Sequence, residues 1–269
     1  MPKNLDSLLV KPGSRVRLRD FDPADKSIVP GDKEKVAQLN ADLLKRIGEL
    51  QELLYAGQKH KVLLVLQGMD TSGKDGTVRH VMSESSPQSL RVYSFKKPTE
   101  TELSHDYLWR VHSQVPASGE IVVFNRSHYE DVLVVRVHSL VPEGVWRKRY
   151  AQINDFERML TESGTTIVKC FLHISKDEQR ERLQARLDDP TKRWKFQHGD
   201  LEERKLWDDY TAAYEDALSR TSTKEAPWYV IPANRKWVRN YLVADILVRT
   251  LEKLKMKYPE PDLSDVRVE

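Results

Sequence analysis

Residues 61–76 read KVLLVLQGMDTSGKDG, and this stretch decides the fold. The uninterrupted apolar run at 61–67 is what a strand buried on both faces of a parallel sheet requires. It leads directly into Gly68-Met69-Asp70-Thr71-Ser72-Gly73-Lys74-Asp75-Gly76, a G-x-x-x-x-G-K pattern that opens a helix. Strand before, helix after and this spacing define a phosphate-binding loop. Gly68, Gly73 and Gly76 let the backbone turn tightly, so that amide N–H groups around Ser72, Gly73, Lys74 and Asp75 face one anion. The helix adds its positive N-terminal end, and Lys74 supplies a charge able to follow a transferring phosphoryl group. Two departures from the ordinary nucleotide-hydrolase loop stand out. Asp75 occupies the position where Ser or Thr normally places a hydroxyl on Mg²⁺, with Thr77 two residues further on. Asp70 sits inside the loop, where a negative charge near phosphates needs a metal ion or an acidic proton between them, making it a candidate Mg²⁺ ligand or general base.

Outward from this loop, strand and helix patterns alternate. Helical spacing runs over 32–55, with Asp32 as N-cap and Gly57 as stop. LRVYSF (90–95), EIVVF (120–124), TTIVKCFLHIS (165–175) and PWYVIPA (227–233) read as four further strands. Helical patterns cover 99–115, the stretch to about 140, 143–162, 176–188, 200–220 and 235–257. This alternation implies βαβ units, a mostly parallel five-stranded sheet with helices on both faces, and a ligand site at the carboxyl ends of the strands. Residues 1–31, with Pro12, Gly13, Pro23, Pro30 and Gly31, read as an irregular N-terminal arm whose Lys11, Arg15, Arg17 and Arg19 face solvent. Residues 32–269 then form a single domain.

The strand at 120–124 runs into Asn125-Arg126-Ser127-His128-Tyr129-Glu130-Asp131. A carboxylate after a strand beside a phosphate loop commonly organises Mg²⁺. Here the first polar residue is the neutral Asn125, which can contact Mg²⁺ through its amide oxygen or a water, and acid appears only at Glu130 and Asp131. Arg126 offers a planar fork of donors to phosphate oxygens. His128 is readable as a phosphorylated nucleophile, but a hydrogen-bonded structural histidine is the favoured reading, since phosphoryl transfer to a bound acceptor needs no covalent intermediate. Basic residues around the loop DPTKRWKFQHG, among them Arg182, Arg186 and Arg193, read as a lid at about 176–210 that would close on the phosphates and exclude water.

Taken together, GMDTSGKDG, FNRSHYEDV and ARLDDPTKRWKF, with PTETELSHDYLWRVH, APWYVIPA and NRKWVRNYLV, resemble the polyphosphate kinase 2 family from about Lys11 onward. That resemblance implies a three-layer α/β/α P-loop kinase fold similar to thymidylate kinases, with a helical lid. It implies transfer of the terminal phosphate of inorganic polyphosphate to an adenine nucleotide (AMP or ADP, with ATP as product), with Mg²⁺. It gives Asp70 and Lys74 the roles of the family's essential loop residues and Arg126 that of its phosphate-binding arginine, while Arg182, Arg186 and Arg193 match approximately. Asn125 stands where other branches carry Asp. With Glu130 close by, the NRSHYED version resembles the branch that phosphorylates both nucleoside mono- and diphosphates. The metal set expected on these grounds is Asp70, Asn125 and Glu130.

The 269-residue chain carries 44 Lys+Arg against 41 Asp+Glu, 32% charged and 39% hydrophobic residues. This excludes intrinsic disorder and a membrane protein, and the length suffices for a core without disulfides. The start of the chain lacks a signal-peptide apolar core, and Cys170 is the single cysteine, so a soluble cytoplasmic protein is expected, working as a homo-oligomer. The chief alternative is an ATP-dependent nucleoside monophosphate kinase, against which Asp75 argues mildly. A nucleic-acid-binding module is disfavoured by the +3 net charge and the absence of an RNA-binding signature.

Overall fold

A computed structural model of the chain describes residues 5–262, together with 264 and 267. Helix α1 (Lys33–Gly57) begins where the Asp32 carboxylate accepts from the Lys35 amide at 2.9 Å and ends with Gln58 in the left-handed region. It is followed by β1 (Lys61–Gln67), α2 (Lys74–Val81), β2 (Leu90–Ser94), α3 (Glu100–Leu103), α4 (Trp109–His112) and β3 (Ile121–Asn125). The second half comprises α5 (Val134–Val137), α6 (Glu143–Glu162), β4 (Thr165–His173), α7 (Lys176–Asp188), α8 (Gly199–Lys205), α9 (Trp207–Thr221), β5 (Trp228–Pro232) and α10 (Lys236–Lys253).

The five strands form one parallel sheet in the order β2-β3-β1-β4-β5. β1 lies centrally, with Leu66 opposite Asn125 of β3 and Cys170 of β4, so the loops after β1 and β3 emerge side by side at the switch point of the sheet. Residues 62–67 are all buried, as an apolar strand covered on both faces must be. α1 packs on α10, and α2 and α10 pack on the sheet, while α6 packs on β4 and on α9. The result is the three-layer α/β P-loop kinase fold. The amphipathic faces of α1 and α10, whose partner the sequence leaves open between the core and a second subunit, bury one another.

Three stretches differ from the sequence reading. The helix expected over 99–115 is two separate turns, α3 and α4. Thr99 and Glu102 form a capping box around α3, and the Asp106 carboxylate accepts from Leu108 N at 2.9 Å, starting a new turn. The helical pattern before residue 140 is a 3-10 turn at His128–Asp131 followed by the single turn α5. The pattern over 200–220 breaks at Leu206, between α8 and α9.

The irregular segment 5–31 is stitched to the domain. Its basic side chains Lys11, Arg15, Arg17 and Arg19 face solvent, while Val10, Val16, Leu18, Ile28 and Val29 between them join the core. Leu9 bridges antiparallel to Tyr229, and Val10 N donates to Trp228 O at 2.8 Å, covering the edge that β5 would otherwise expose.

Candidate active site

The phosphate loop takes its shape from close approaches that only glycine permits. Gly68 has φ +154°, and a Cβ there would meet Leu172 O at 2.7 Å. Gly73 has φ +96° and lies against the Arg239 guanidinium, leaving no room for a Cβ. Gly73 is also the N-cap of α2 and carries no side-chain cap, so the first-turn amides of the helix are without helical partners and open toward the cavity lined by Gly73, Asp75 and Gly76. Ser72 is fully buried, with its amide donating to Met69 O at 3.1 Å. Thr77 does not present a replacement hydroxyl to either cavity, because it is fully buried, with its Oγ1 donating back to Gly73 O at 3.0 Å.

Lys74 folds back over the loop, its Nζ donating to Gly68 O at 2.8 Å and Met69 O at 3.2 Å. Burial, helped by the Arg126 charge, lowers its pKa to about 8, with Asp70, Glu130 and Asp75 opposing that shift. Arg126 stands at the head of the next turn in the left-handed region, φ +64°, with its side chain accessible. Burial works against its charge, but Glu130, Tyr214 and Asp70 outweigh that and keep its pKa raised.

Lys74 and Arg126 line two cavities at once, as do Asp70 and Gln197. The larger, about 1030 Å³, is lined among the described residues by eleven Lys and Arg side chains against two carboxylates, Asp70 and Asp75. The smaller, about 370 Å³, brings Glu130, Asp200 and Glu203 together with Trp207, Tyr210 and Tyr214. One cavity therefore suits a long polyanion. The other combines stacking surfaces with carboxylates.

The residues proposed for metal divide unequally. Asp70 Oδ2 is buried and accepts no hydrogen bond from the protein, nor do Thr71 Oγ1 and Ser72 Oγ beside it, a group of oxygens that water or a metal ion can satisfy. Glu130 is half-buried and lines the smaller cavity. Asn125 donates its amide to the Asp75 carboxylate, so the two departures from the ordinary motif face each other as a neutral donor and an anion. A carboxylate at 125 would place two negative charges there. Among the described residues no group of three or more His, Cys, Asp or Glu side chains forms a metal cage. Mg²⁺ does not require one, since one or two carboxylates plus substrate phosphates suffice, and Asp70 with Glu130 fits that donor set.

The three arginines expected on a lid behave differently from one another. Arg186 lines the large cavity, its Nη1 3.7 Å from Asp70 Oδ2 and 3.6 Å from Asp200 Oδ2. Arg182, expected on phosphate, borders the same cavity and also holds the loop itself. Its guanidinium donates to Thr71 O, Ser72 O, Ala233 O and Asn234 O at 2.6–3.0 Å and to Glu178 Oε1 at 2.7 Å. Arg193 points away, donating to Leu187 O at 2.7 Å, while Lys192 and Lys195 face the cavity. The 3-10 turn at Arg193–Lys195 explains this, because side chains three apart eclipse one another. His128 is 1% exposed, with Nε2 3.2 Å from Glu157 Oε1, so it is the structural histidine and not a nucleophile.

Sequence reasoning missed Lys96, Lys97 and Arg239. The two lysines follow β2 at the carboxyl end of the sheet, a position that could have flagged them. Arg239 lies within α10, inside the NRKWVRNYLV stretch, where nothing in the local sequence marks it as a site residue. It donates to Ser72 O at 3.1 Å, and burial, together with Arg182, lowers its pKa to about 10.

The family model for Polyphosphate kinase 2 matches residues 31–259. An AMP/ADP-polyphosphate phosphotransferase of Meiothermus ruber is 60% identical over 259 residues, covering 96% of this chain and 97% of that protein. An ADP-polyphosphate phosphotransferase of Rhodopseudomonas palustris is 50% identical over 240 residues, covering 85% and 83%. The crystal structure of polyphosphate kinase 2 from Arthrobacter aurescens superposes with a TM-score of 0.93 at 48% identity, covering 97% of this chain and 93% of that one. With a phosphate loop opening onto a polycationic cleft, and this likeness along nearly its whole length, the chain belongs to the polyphosphate kinase 2 family.

Proposed function

We propose that this protein transfers the terminal phosphoryl group of inorganic polyphosphate to AMP and to ADP, reversibly and with Mg²⁺. The observation that carries the reading is the placement of Lys74 and Arg126 where two cavities of opposite character meet. Polyphosphate occupies the large cationic cavity, where repeating phosphates can bind in several registers and each still offers a terminal group. The nucleotide occupies the smaller cavity, its phosphates toward Arg126 and its base among Trp207, Tyr210 and Tyr214.

A terminal phosphate oxygen of the nucleotide attacks the end phosphorus of the chain. A new P–O–P bond forms as the anhydride bond to the next phosphate breaks, and the shortened polyphosphate leaves with the electron pair. The attacking oxygen is already an anion near neutral pH, so no base is needed to remove a proton. Catalysis is then positioning and charge stabilisation. Lys74 and the first-turn amides of α2 receive the transferring group, Arg126 neutralises charge between donor and acceptor, and Arg186 closes from the lid over 176–210. Asp70 and Glu130 would hold Mg²⁺, which when bound would neutralise charge on the reacting phosphates. AMP and ADP pools lie in the cytoplasm, which supports that location. Within the described residues no helix is long and apolar enough to cross a membrane. An ATP-dependent monophosphate kinase is not favoured, since Asp75 replaces the Mg·ATP hydroxyl and Thr77 is fully buried.

Two rate measurements test the reading, each with polyphosphate and Mg²⁺, one with AMP and one with ADP, after removal of contaminating adenylate kinase. Both nucleotides should turn over. Turnover of one alone would sink the dual-acceptor claim, and turnover only with added ATP would select the monophosphate-kinase alternative.

The lowered pKa of Lys74 gives a pH signature. The side chain is charged below about pH 8 and loses its proton above it. kcat/KM for polyphosphate, which reports the free enzyme, should therefore fall about tenfold per pH unit above that point. The kcat plateau should extend further, because bound phosphates hold the proton on. A kcat/KM profile flat to pH 10 contradicts the assignment.

A further inference from the structure

Beneath the turn that carries Arg126 lies a buried ion pair that the transfer reaction does not touch. Lys169 sits in the middle of β4 with no exposure, and Glu157 on α6 is 1% exposed. The ammonium donates to Glu157 Oε2 at 2.6 Å, to Tyr129 OH at 2.9 Å and to Thr221 O at 2.7 Å, so all three of its donors are matched. Tyr129 OH in turn donates to Glu157 Oε1 at 2.7 Å, and His128 Nε2 meets the same oxygen at 3.2 Å. The Tyr129 and Trp228 rings lie 5.4 and 5.1 Å from the ammonium.

Stability alone gives no reason for such a group. Desolvating two charges is costly, and well-packed apolar replacements of a buried pair are often neutral or stabilising. What the network supplies is direction. Across residues 126–130 the chain alternates between the two sides of the turn: His128 and Tyr129 are buried onto Glu157, while Arg126 and Glu130 line the cavities. Arg126 adopts a left-handed backbone that a non-glycine residue rarely takes unless its surroundings impose it. Ser127 helps from the other side, accepting from Tyr129 N at 3.2 Å and from Gln67 Nε2 at 3.1 Å, just before the phosphate loop. The third bond of Lys169 reaches the end of α9, whose Tyr210 and Tyr214 wall the smaller cavity. One buried ammonium thus ties the Arg126 turn to the helix on the opposite side of the same cavity.

We propose that Lys169, Glu157 and Tyr129 are positioning residues, which hold Arg126 and Glu130 in register with the acceptor cavity and contribute little to overall stability. The proposal rests on the polyphosphate-kinase reading for its rate predictions, but not for its structural one. The single variant Lys169→Met, which leaves Glu157 buried and unpaired, should melt well below wild type. The double variant Lys169→Met/Glu157→Leu should recover most of that melting temperature without recovering activity. Its kcat should stay about 30- to 100-fold down, the scale expected when a catalytic group is misplaced by about 1 Å. KM for polyphosphate, set by the many cations of the large cavity, should change less than about threefold. Tyr129→Phe keeps the ion pair and the ring but leaves one Lys169 donor unmatched, and should lower kcat about tenfold with a smaller loss of melting temperature than Lys169→Met. That variant decides the matter if the double variant does not fold.

A double variant or a Tyr129→Phe enzyme with wild-type kcat would overturn the proposal. So would a crystal structure of either variant in which residues 126–130 keep their conformation, whatever the activity. Wild-type protein inert toward polyphosphate would instead count against the functional reading, and the crystallographic comparison would still decide the positioning role.

Discussion

Lys74→Ala is expected to lower the phosphoryl-transfer rate by about a thousandfold or more, equivalent to about 4 kcal/mol of transition-state stabilisation, with the fold intact. Lys74 donates to Gly68 O and Met69 O at the start of the phosphate loop, and it lines both cavities. A phosphate arriving over α2 gives that ammonium a charged partner in place of two carbonyls, and charge-assisted bonds are the stronger ones. The fold should survive because the folded protein already disfavours the charged lysine. Its pKa of about 8 lies below the unfolded value, so at pH 7 the charge opposes folding, and this opposition fades as pH rises from about 8 toward the ordinary lysine value. The melting temperature of the variant should therefore be no lower than that of wild type at pH 7. Retention of more than about a tenth of the rate by folded protein would remove Lys74 from the mechanism.

Asp70→Asn should cost at least about a hundredfold in rate, whereas Asn125→Ala should cost about tenfold or less. The substitution at 70 keeps the shape and removes the charge. Asp70 Oδ2 has no hydrogen-bond partner, and its nearest cation is Arg186 at 3.7 Å, so its charge is available to a metal ion between loop and phosphates. Asn125 already gives its amide to Asp75 and has no charge to lend. Titrating Mg²⁺ separates the possible roles of Asp70. A raised Mg²⁺ requirement marks a metal ligand, and a loss insensitive to Mg²⁺ marks a direct role on the phosphates. Equal losses at 70 and 125 would contradict the division of labour.

The sequence by itself determined the elements and their chemistry. A strand buried on both faces, a glycine-rich turn and a following helix are local signals, readable because strand and helix impose different spacings on apolar residues. The parallel α/β class follows from their alternation, and the candidacy of Asp70, Lys74 and Arg126 from the turns that follow β1 and β3. The helix broken at Asp106, whose carboxylate accepts from Leu108 N, escaped because one local contact weighs little in a periodicity.

Only the tertiary structure decided which side chains of a given type do which work. Arg182, Arg186 and Arg193 are alike in sequence, but one holds loop carbonyls, one faces Asp70 and one bonds a carbonyl at the end of α7. Lys96, Lys97 and Arg239 reach the cavity from segments far apart in the chain, and Lys169 finds Glu157 across a helix–strand interface. Charge in a sequence is a property of the residue. The function of that charge depends on burial and on what lies within about 4 Å of it, and those distances exist only after the chain has folded.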